Sequence, residues 1–210
     1  IHYCVGAPLA RLEAQLALAA GASIHGNTLA TGLVRENGKW VVSTRQGATV
    51  TADRVVIATN GFIIDRDANL HGRMRSYWTF LVAFDDPGEN TPNAYYFDPR
   101  AHYWARQDGK LIVGGGDTPV VGDNFHAPPN AARSAERLVR WCAETFPRLA
   151  GRRELALHYS VFGETRDNLP ILGRFSPQSR LWYVVGDNGD GQSTLSCIAH
   201  LLPRAMVERF

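Results

Sequence analysis

VVGDNGDGQSTLS, residues 184–196, runs from an apolar strand through three spaced glycines into the polar opening of a helix. RLWYVVG reads as a buried strand, Gly186, Gly189 and Gly191 shape the turn, and Gln192, Ser193 and Thr194 precede LSCIAHLLPRAMVERF, a helix that Pro203 is expected to kink or divide. A strand, a glycine loop and a helix N-terminus together offer free backbone N–H groups and the positive end of a helix dipole to whatever lies above them. An anionic or electron-rich ligand atom is favoured there. An ordinary turn ahead of a helix accounts for the same residues, and the stretch alone does not choose between the two.

Upstream, GETRDNLPILGR (163–174) has Pro170 and Gly173 to fix the shape of a loop that follows a strand. Further back, TADRVVIATNGF (51–62) is a branched apolar strand, Val55 to Ala58, ending in Thr59-Asn60-Gly61, where small residues let the chain turn beside a ligand. A plain buried strand ending in a turn is the competing reading. Between them RSYWTFLVAF (75–84), AYYF, HYWARQ and KLIVGGG predict an antiparallel sheet able to wall one side of a cavity. AARSAERLVRWCAETF predicts a helix whose apolar stripe is Ala131, Ala135, Leu138, Cys142 and Phe146, stopped by Pro147. Near the N-terminus PLARLEAQLALAA (8–20) predicts a helix with Gly21 as its stop, followed by short strands with turns at Asn37-Gly38 and Gln46-Gly47.

The chain's 210 residues can bury a sizeable core. Its net charge of +2 leaves no electrostatic footprint for nucleic acid or an anionic membrane. No apolar run has the ~20 residues that span a bilayer. Cys4, Cys142 and Cys197 are too scattered for a disulfide framework or a zinc site, which makes a reducing, cytoplasmic setting the expectation. Hydrolase signatures such as H-E-x-x-H and G-x-S-x-G are absent from the sequence.

From about Gly21 onward the order of these units resembles the second half of the FAD-dependent oxidoreductases of the D-amino-acid oxidase, glycine oxidase and sarcosine oxidase superfamily. VVIATNG matches a strand and turn near the flavin's ADP part, DGKLIVGG matches an Asp-Gly-x-Leu-x-x-Gly-Gly strand, Thr165, Asp167, Pro170 and Gly173 match a T-x-D-x-x-P-x-x-G loop, and Gly186, Gly189 and Gly191 match a G-x-x-G-x-G turn. The resemblance implies an α+β fold: an incomplete FAD-binding domain with an antiparallel-sheet substrate domain. It implies residues 21–65 and 156–210 as FAD-binding parts and 66–155 as the substrate-domain sheet and helix. It further implies FAD contacts at Ala58, Thr59, Gly61, Gly163, Pro170, Gly173, Gly186, Asn188, Gly189, Gly191, Gln192, Ser193 and Thr194. The activity implied is hydride removal from the carbon beside the nitrogen of a small amine or amino acid, giving an imine that water hydrolyses.

Two departures matter. Amino-acid-oxidising relatives have an arginine for the substrate carboxylate five positions before the loop aspartate, where this chain has Phe162. The expected substrate is therefore an amine rather than a free amino acid, with Glu164, Arg106 and Tyr103 as substrate-cavity candidates. Arg106 or Arg75 are the available replacements for the missing cation, although surface solvation is the simpler reading of each. The dinucleotide fingerprint G-x-G-x-x-G in its strand-to-helix setting is also absent, so the chain is expected to be a fragment with poor affinity for FAD of its own. A non-catalytic remnant acting as an interaction surface is the alternative. Residues 1–20 form a separate segment: IHYCVGAPLAR (1–11) resembles the haem-ligand loop of haem-thiolate monooxygenases, with Cys4 at the ligand position. Haem binding is not expected, because nothing precedes Cys4 to build a pocket over both faces of the macrocycle.

Overall fold

The computed structural model describes residues 15, 17–62, 70, 72–88, 102–122, 127–128, 130–174, 176 and 178–207. Ten strands run in the order β1 (Ala30–Glu36), β2 (Lys39–Thr44), β3 (Thr49–Ala52), β4 (Val55–Ile57), β5 (Met74–Asp85), β6 (Tyr103–Gln107), β7 (Lys110–Pro119), β8 (Ala156–Thr165), β9 (Ile171–Arg174) and β10 (Leu181–Val185). Helix α1 (Ala131–Thr145) precedes β8, and α2 (Gly191–Val207) follows β10. The fold is α+β. Its described residues fall into two compact units, one holding those of Asn60–Leu169 and Gly186–Asp190, the other those of Pro8–Thr59, Pro170–Val185 and Gly191–Phe210.

The first unit is an antiparallel sheet of order β6-β7-β5-β8 with α1 on one face. Alternation along β5 sends Ser76, Trp78, Phe80, Val82 and Phe84 inward, each at most 8% exposed. These β5 side chains other than Ser76 pack with Trp104, Leu111, Val113 and Val161 from the sheet and with Leu138, Cys142 and Phe146 around the helix. A large apolar side chain buried in this way contributes roughly 1.5–3 kcal/mol. The helix stripe differs from the expected one toward its N-terminus: Ser134 is buried while Ala131 and Ala135 are half-buried, because 134, 138, 142 and 146 share one i, i+4 line. Ser134 can lie there because its hydroxyl takes a bond from Arg137 Nη2 at 3.0 Å.

The expected KLIVGGG strand extends through its glycines to Pro119. Tyr103 lies where a Gly114 Cβ would project, and Gly115, at φ +134°, would bring a Cβ within 2.7 Å of the His102 ring. The register then slips. Phe80 opposes Gly115 and Trp78 opposes Thr118, so Gly116 and Asp117 stand against Thr79 alone. With Gly116 at φ +71° this is a glycine bulge, and it re-aims Asp117.

In the second unit β1-β2-β3 form an antiparallel sheet, and β10 pairs with β4 in parallel and β9 antiparallel. The strand expected at Val55 to Ala58 is present as β4, Val55–Ile57, in a different sheet from β3, but it is not buried: Val56 is 38% exposed. Residues 17–19 are helical, and Gly21 (φ +91°) stops them as expected, with Gly21 N bonded to Leu18 O and Ala22 N to Ala17 O, both at 3.0 Å. The remainder of the 8–20 helix, AYYF and Cys4 lie outside the described residues. Helix α2 runs unbroken across Pro203, which does not divide it.

Two outcomes follow from this core. Leu138→Ala is expected to cost about 2–5 kcal/mol by denaturant melting, since Leu138 is 2% exposed in the sheet–helix cluster. Burial also pushes the Cys142 thiol up to about 12, so a thiol reagent followed by peptide mapping should label exposed Cys197 in the folded protein and Cys142 only after unfolding.

Candidate functional site

Three stretches far apart in sequence meet in the first unit: Asn60-Gly61, Phe162–Thr165 and Gly186–Asp190. Asn60 is at φ +50°, a conformation Asn tolerates, and its Oδ1 accepts from Gly163 N at 3.0 Å and Asp187 N at 3.4 Å. Asn188, at φ +55°, answers from the other side: its Oδ1 accepts from Thr165 N at 2.7 Å, its own N–H donates to Gly163 O at 2.9 Å, and its amide donates to Gly186 O at 2.8 Å. Thr165 Oγ1 is 2.9 Å from Leu169 O and 3.1 Å from Asn188 Oδ1, and its single proton serves one of them. Ser76 Oγ donates to Gly61 O and ties β5 to the node.

The glycines here are required by the protein itself. A Cβ at Gly61 would stand 2.6 Å from Phe162 O, one at Gly163 2.5 Å from Met74 Sδ, and one at Gly186 (φ +75°) 2.7 Å from Thr165 Cγ2. Gly61 therefore lies on the Phe162 backbone and Gly163 close to that of Gly186, with the Met74 and Thr165 side chains filling the rest of the junction. The turn's N–H groups are spent in the same way: Asp187 N on Asn60, Asn188 N on Gly163, Gly189 N on Asp187 Oδ1 at 3.2 Å, and Asp190 N on Asp187 O at 2.9 Å. The donors in this stretch that a ligand can use are those of the first turn of α2, which an α-helix leaves without intrahelical partners. Desolvation holds the Asp187 carboxyl above the usual carboxylate range, against bonds from Gly189 and Asn60 that lower it, while Asp190 nearby raises it further.

A family model described as FAD dependent oxidoreductase matches residues 5–204. The chain belongs to that family. Its members use FAD. Among solved structures the chain is similar to glycine oxidase from Geobacillus kaustophilus (TM-score 0.71, 23% identity, 93% of this chain and 53% of that one). It is similar also to iminodiacetate oxidase from Chelativorans sp. BNC1 (0.72, 21%, 92% and 52%) and to L-proline dehydrogenase from P. horikoshii (0.67, 21%, 92% and 55%). The chain spans about half the length of these structures. No curated protein sequence matches it.

Toward the family's cofactor, N–H groups at a helix N-terminus such as that of α2 are a donor set suited to the oxygen- and nitrogen-bearing edge of a flavin ring. Nothing in the sequence supplies the glycine fingerprint that a pyrophosphate needs.

Of the FAD contacts expected from sequence, Gly61, Gly163, Gly186, Asn188 and Gly189 share the first unit, and all but Gly189 meet in the node. Ala58, Thr59, Pro170, Gly173, Gly191, Gln192, Ser193 and Thr194 belong to the second unit. Ala58 and Thr59 are exposed, and Gly173 has open space where a Cβ would project. Tyr103 and Glu164 lie on the face of the four-stranded sheet away from α1, and Arg106 is taken up by Asp86, its Nε 3.1 Å from Oδ1. The sequence reading passed over Asn60 and Thr165 as site residues. The Asn-Gly pair at 60–61, a standard sign of positive φ, was the available signal for the first.

Gly186→Ala is expected to destabilise by about 1–3 kcal/mol, because positive φ and the Thr165 clash act together, whereas Gly173→Ala should stay within about 0.5 kcal/mol in the same thermal melt. Because the folded Asp187 carboxyl binds its proton more tightly than the unfolded one, its charge costs stability above the raised value. Asp187→Asn should therefore stabilise at neutral pH, and the gain should fade as pH falls through the window down to the ordinary 3.8, as read by melting temperature against pH.

Proposed function

We propose that this chain supplies the substrate sheet and the closing flavin contacts of an FAD-dependent oxidoreductase that oxidises the carbon–nitrogen bond of an amine. The convergence of Asn60-Gly61, Phe162–Thr165 and Gly186–Asp190 carries the reading, since motifs over 100 residues apart, weak singly, meet in one hydrogen-bonded node. Under it residues 21–65 and 156–210 act as FAD-binding parts and 66–155 as the substrate domain. Bound FAD supplies a two-electron hydride acceptor. The chain's own part is to hold the flavin ring with the N–H groups at the start of α2, which also favour the negative charge that arrives there.

An amine is preferred to an amino acid because Phe162 occupies the place of the family's carboxylate-binding arginine, and its ring stacks on Tyr77 at 5.8 Å and 25°. That surface offers an apolar wall in place of a bidentate anion clamp. No described helix is long and apolar enough to cross a membrane. With Cys142 and Cys197 both free, a reducing, cytoplasmic setting is part of the proposal.

Titration of the chain with FAD, lumiflavin and ADP, read by flavin fluorescence and by ADP competition, tests the cofactor reading. If the donors at α2 meet the ring, lumiflavin and FAD should bind within about tenfold of each other and ADP should compete poorly. ADP competing as well as FAD overturns that assignment, and no flavin binding at all leaves the non-catalytic reading. With flavin bound, anaerobic benzylamine should bleach its visible band at least as fast as phenylglycine, and bleaching by amino acids alone overturns the amine assignment.

A further inference from the structure

The sheet face turned away from α1 carries a carboxylate that the fold itself does not use. Asp117 follows the glycine bulge of β7, beside Thr79 of β5. Thr79 supplies one side-chain hydrogen bond to the carboxylate. The other oxygen, Oδ1, is buried and has no hydrogen-bond partner among the described residues. A buried acceptor left unpaired costs stability, and native proteins keep few of them.

The surroundings favour a cation at that oxygen. On the same face Tyr77 opposes Phe162 and Thr79 opposes Ser160, while Tyr103 lies across Gly114 on the far side of β7. Aromatic faces and a carboxylate together suit an ammonium group with an apolar body. The groups that act on Asp117 come from three directions: the neutral Thr79 hydroxyl donates from β5, His102 attracts from the approach to β6, and Glu164 on β8 adds a second negative charge. Arg75 is on the same face too, but it stands directly opposite Glu164, where the two charges offset each other.

We propose that Asp117, oriented by Thr79, anchors the ammonium group of a carboxylate-free aryl or alkyl amine on the face of the four-stranded sheet turned away from α1. The proposal rests on the reading above that the chain acts on an amine, and it assigns the residue that selects one. Asp117 is a specificity residue here, binding the cation by a charge-assisted hydrogen bond, and no bond to it is made or broken.

Calorimetric titration of the full chain with benzylamine, benzyl alcohol and phenylglycine tests this without reference to turnover. Benzylammonium should bind better than either of the others, Asp117→Asn should weaken it at least about tenfold, and benzyl alcohol should bind both forms alike. Thr79→Val should weaken benzylammonium about two- to fivefold by releasing the carboxylate from its donor. Desolvation raises the Asp117 carboxyl above the ordinary 3.8, so in the wild type benzylammonium binding should fall as pH drops through that raised value, while benzyl alcohol binding stays level. That pH series decides the matter even if Asp117→Asn does not fold. Equal benzylammonium affinity in wild type and Asp117→Asn, meaning that the orphaned oxygen holds a structural water only, overturns the proposal, and so does tighter binding of phenylglycine. Lumiflavin titration on the same samples separates the two readings: amine binding that depends on Asp117 without flavin binding fails the cofactor reading alone, and flavin binding without that dependence fails this one alone.

Discussion

Contact between bare backbones at Gly61, Gly163 and Gly186 is the constraint on which the first unit depends. Each glycine faces a neighbour so close that a methyl group would overlap it, and the neighbour is main chain or the Met74 and Thr165 side chains that line the junction. Contact at that distance brings backbone N–H and C=O groups out of water, where they must be paired. Asn60 and Asn188 pair them. Asn60 Oδ1 takes the N–H groups of Gly163 and Asp187 and Asn188 Oδ1 takes that of Thr165, each with its own backbone at positive φ to bring the amide into reach. Glycine supplies the space and asparagine supplies the bonds, and neither would hold the junction without the other.

That arrangement changes what the glycine-rich turn does. Read as a ligand cradle, Gly186–Asp190 would keep its N–H groups for a bound molecule. In the structure those of residues 187–190 are bonded within the protein, so the turn itself is no cradle and ligand contact falls to the first turn of α2. The positive end of a helix lasts only about one turn, so fixing its first residues is the way to fix the charge it presents.

Much of this was legible in the sequence, and the reasons differ by element. β5 declares itself through a long aromatic and branched run, and α1 through helical spacing, because both bury one face against a large core. The order of the glycine motifs was legible as a family resemblance. The exposure of β4 was not: the branched run Val55–Ile57 fits a buried strand, and its pairing alone does not say which of its faces is covered. The choice of Ser134 over Ala135 was hidden for a related reason, since a hydroxyl can be buried wherever a neighbour such as Arg137 bonds to it. The bulge at Gly116-Asp117 escaped notice because a glycine run inside a strand signals close approach or a bend, without saying which of its residues is displaced.

Asp117 and Asp187 show how a displaced carboxylate and a structural one can be told apart. Desolvation is the first cause of the upward shift in both, so the shift alone gives them equal claims to function. Their bonding does not. Asp187 has taken up the Gly189 N–H and a bond from Asn60, and its backbone serves the same junction, so its burial is accounted for by the turn it closes. Asp117 has Thr79 on one oxygen and, among the described residues, nothing on the other, in a sheet whose stability is secured on the opposite face by Trp78, Phe80 and their neighbours. A core of that size can carry an unpaired acceptor costing about 1–3 kcal/mol. A group that the fold must tolerate, and that no part of the fold uses, is where a partner from outside the chain has the most to gain.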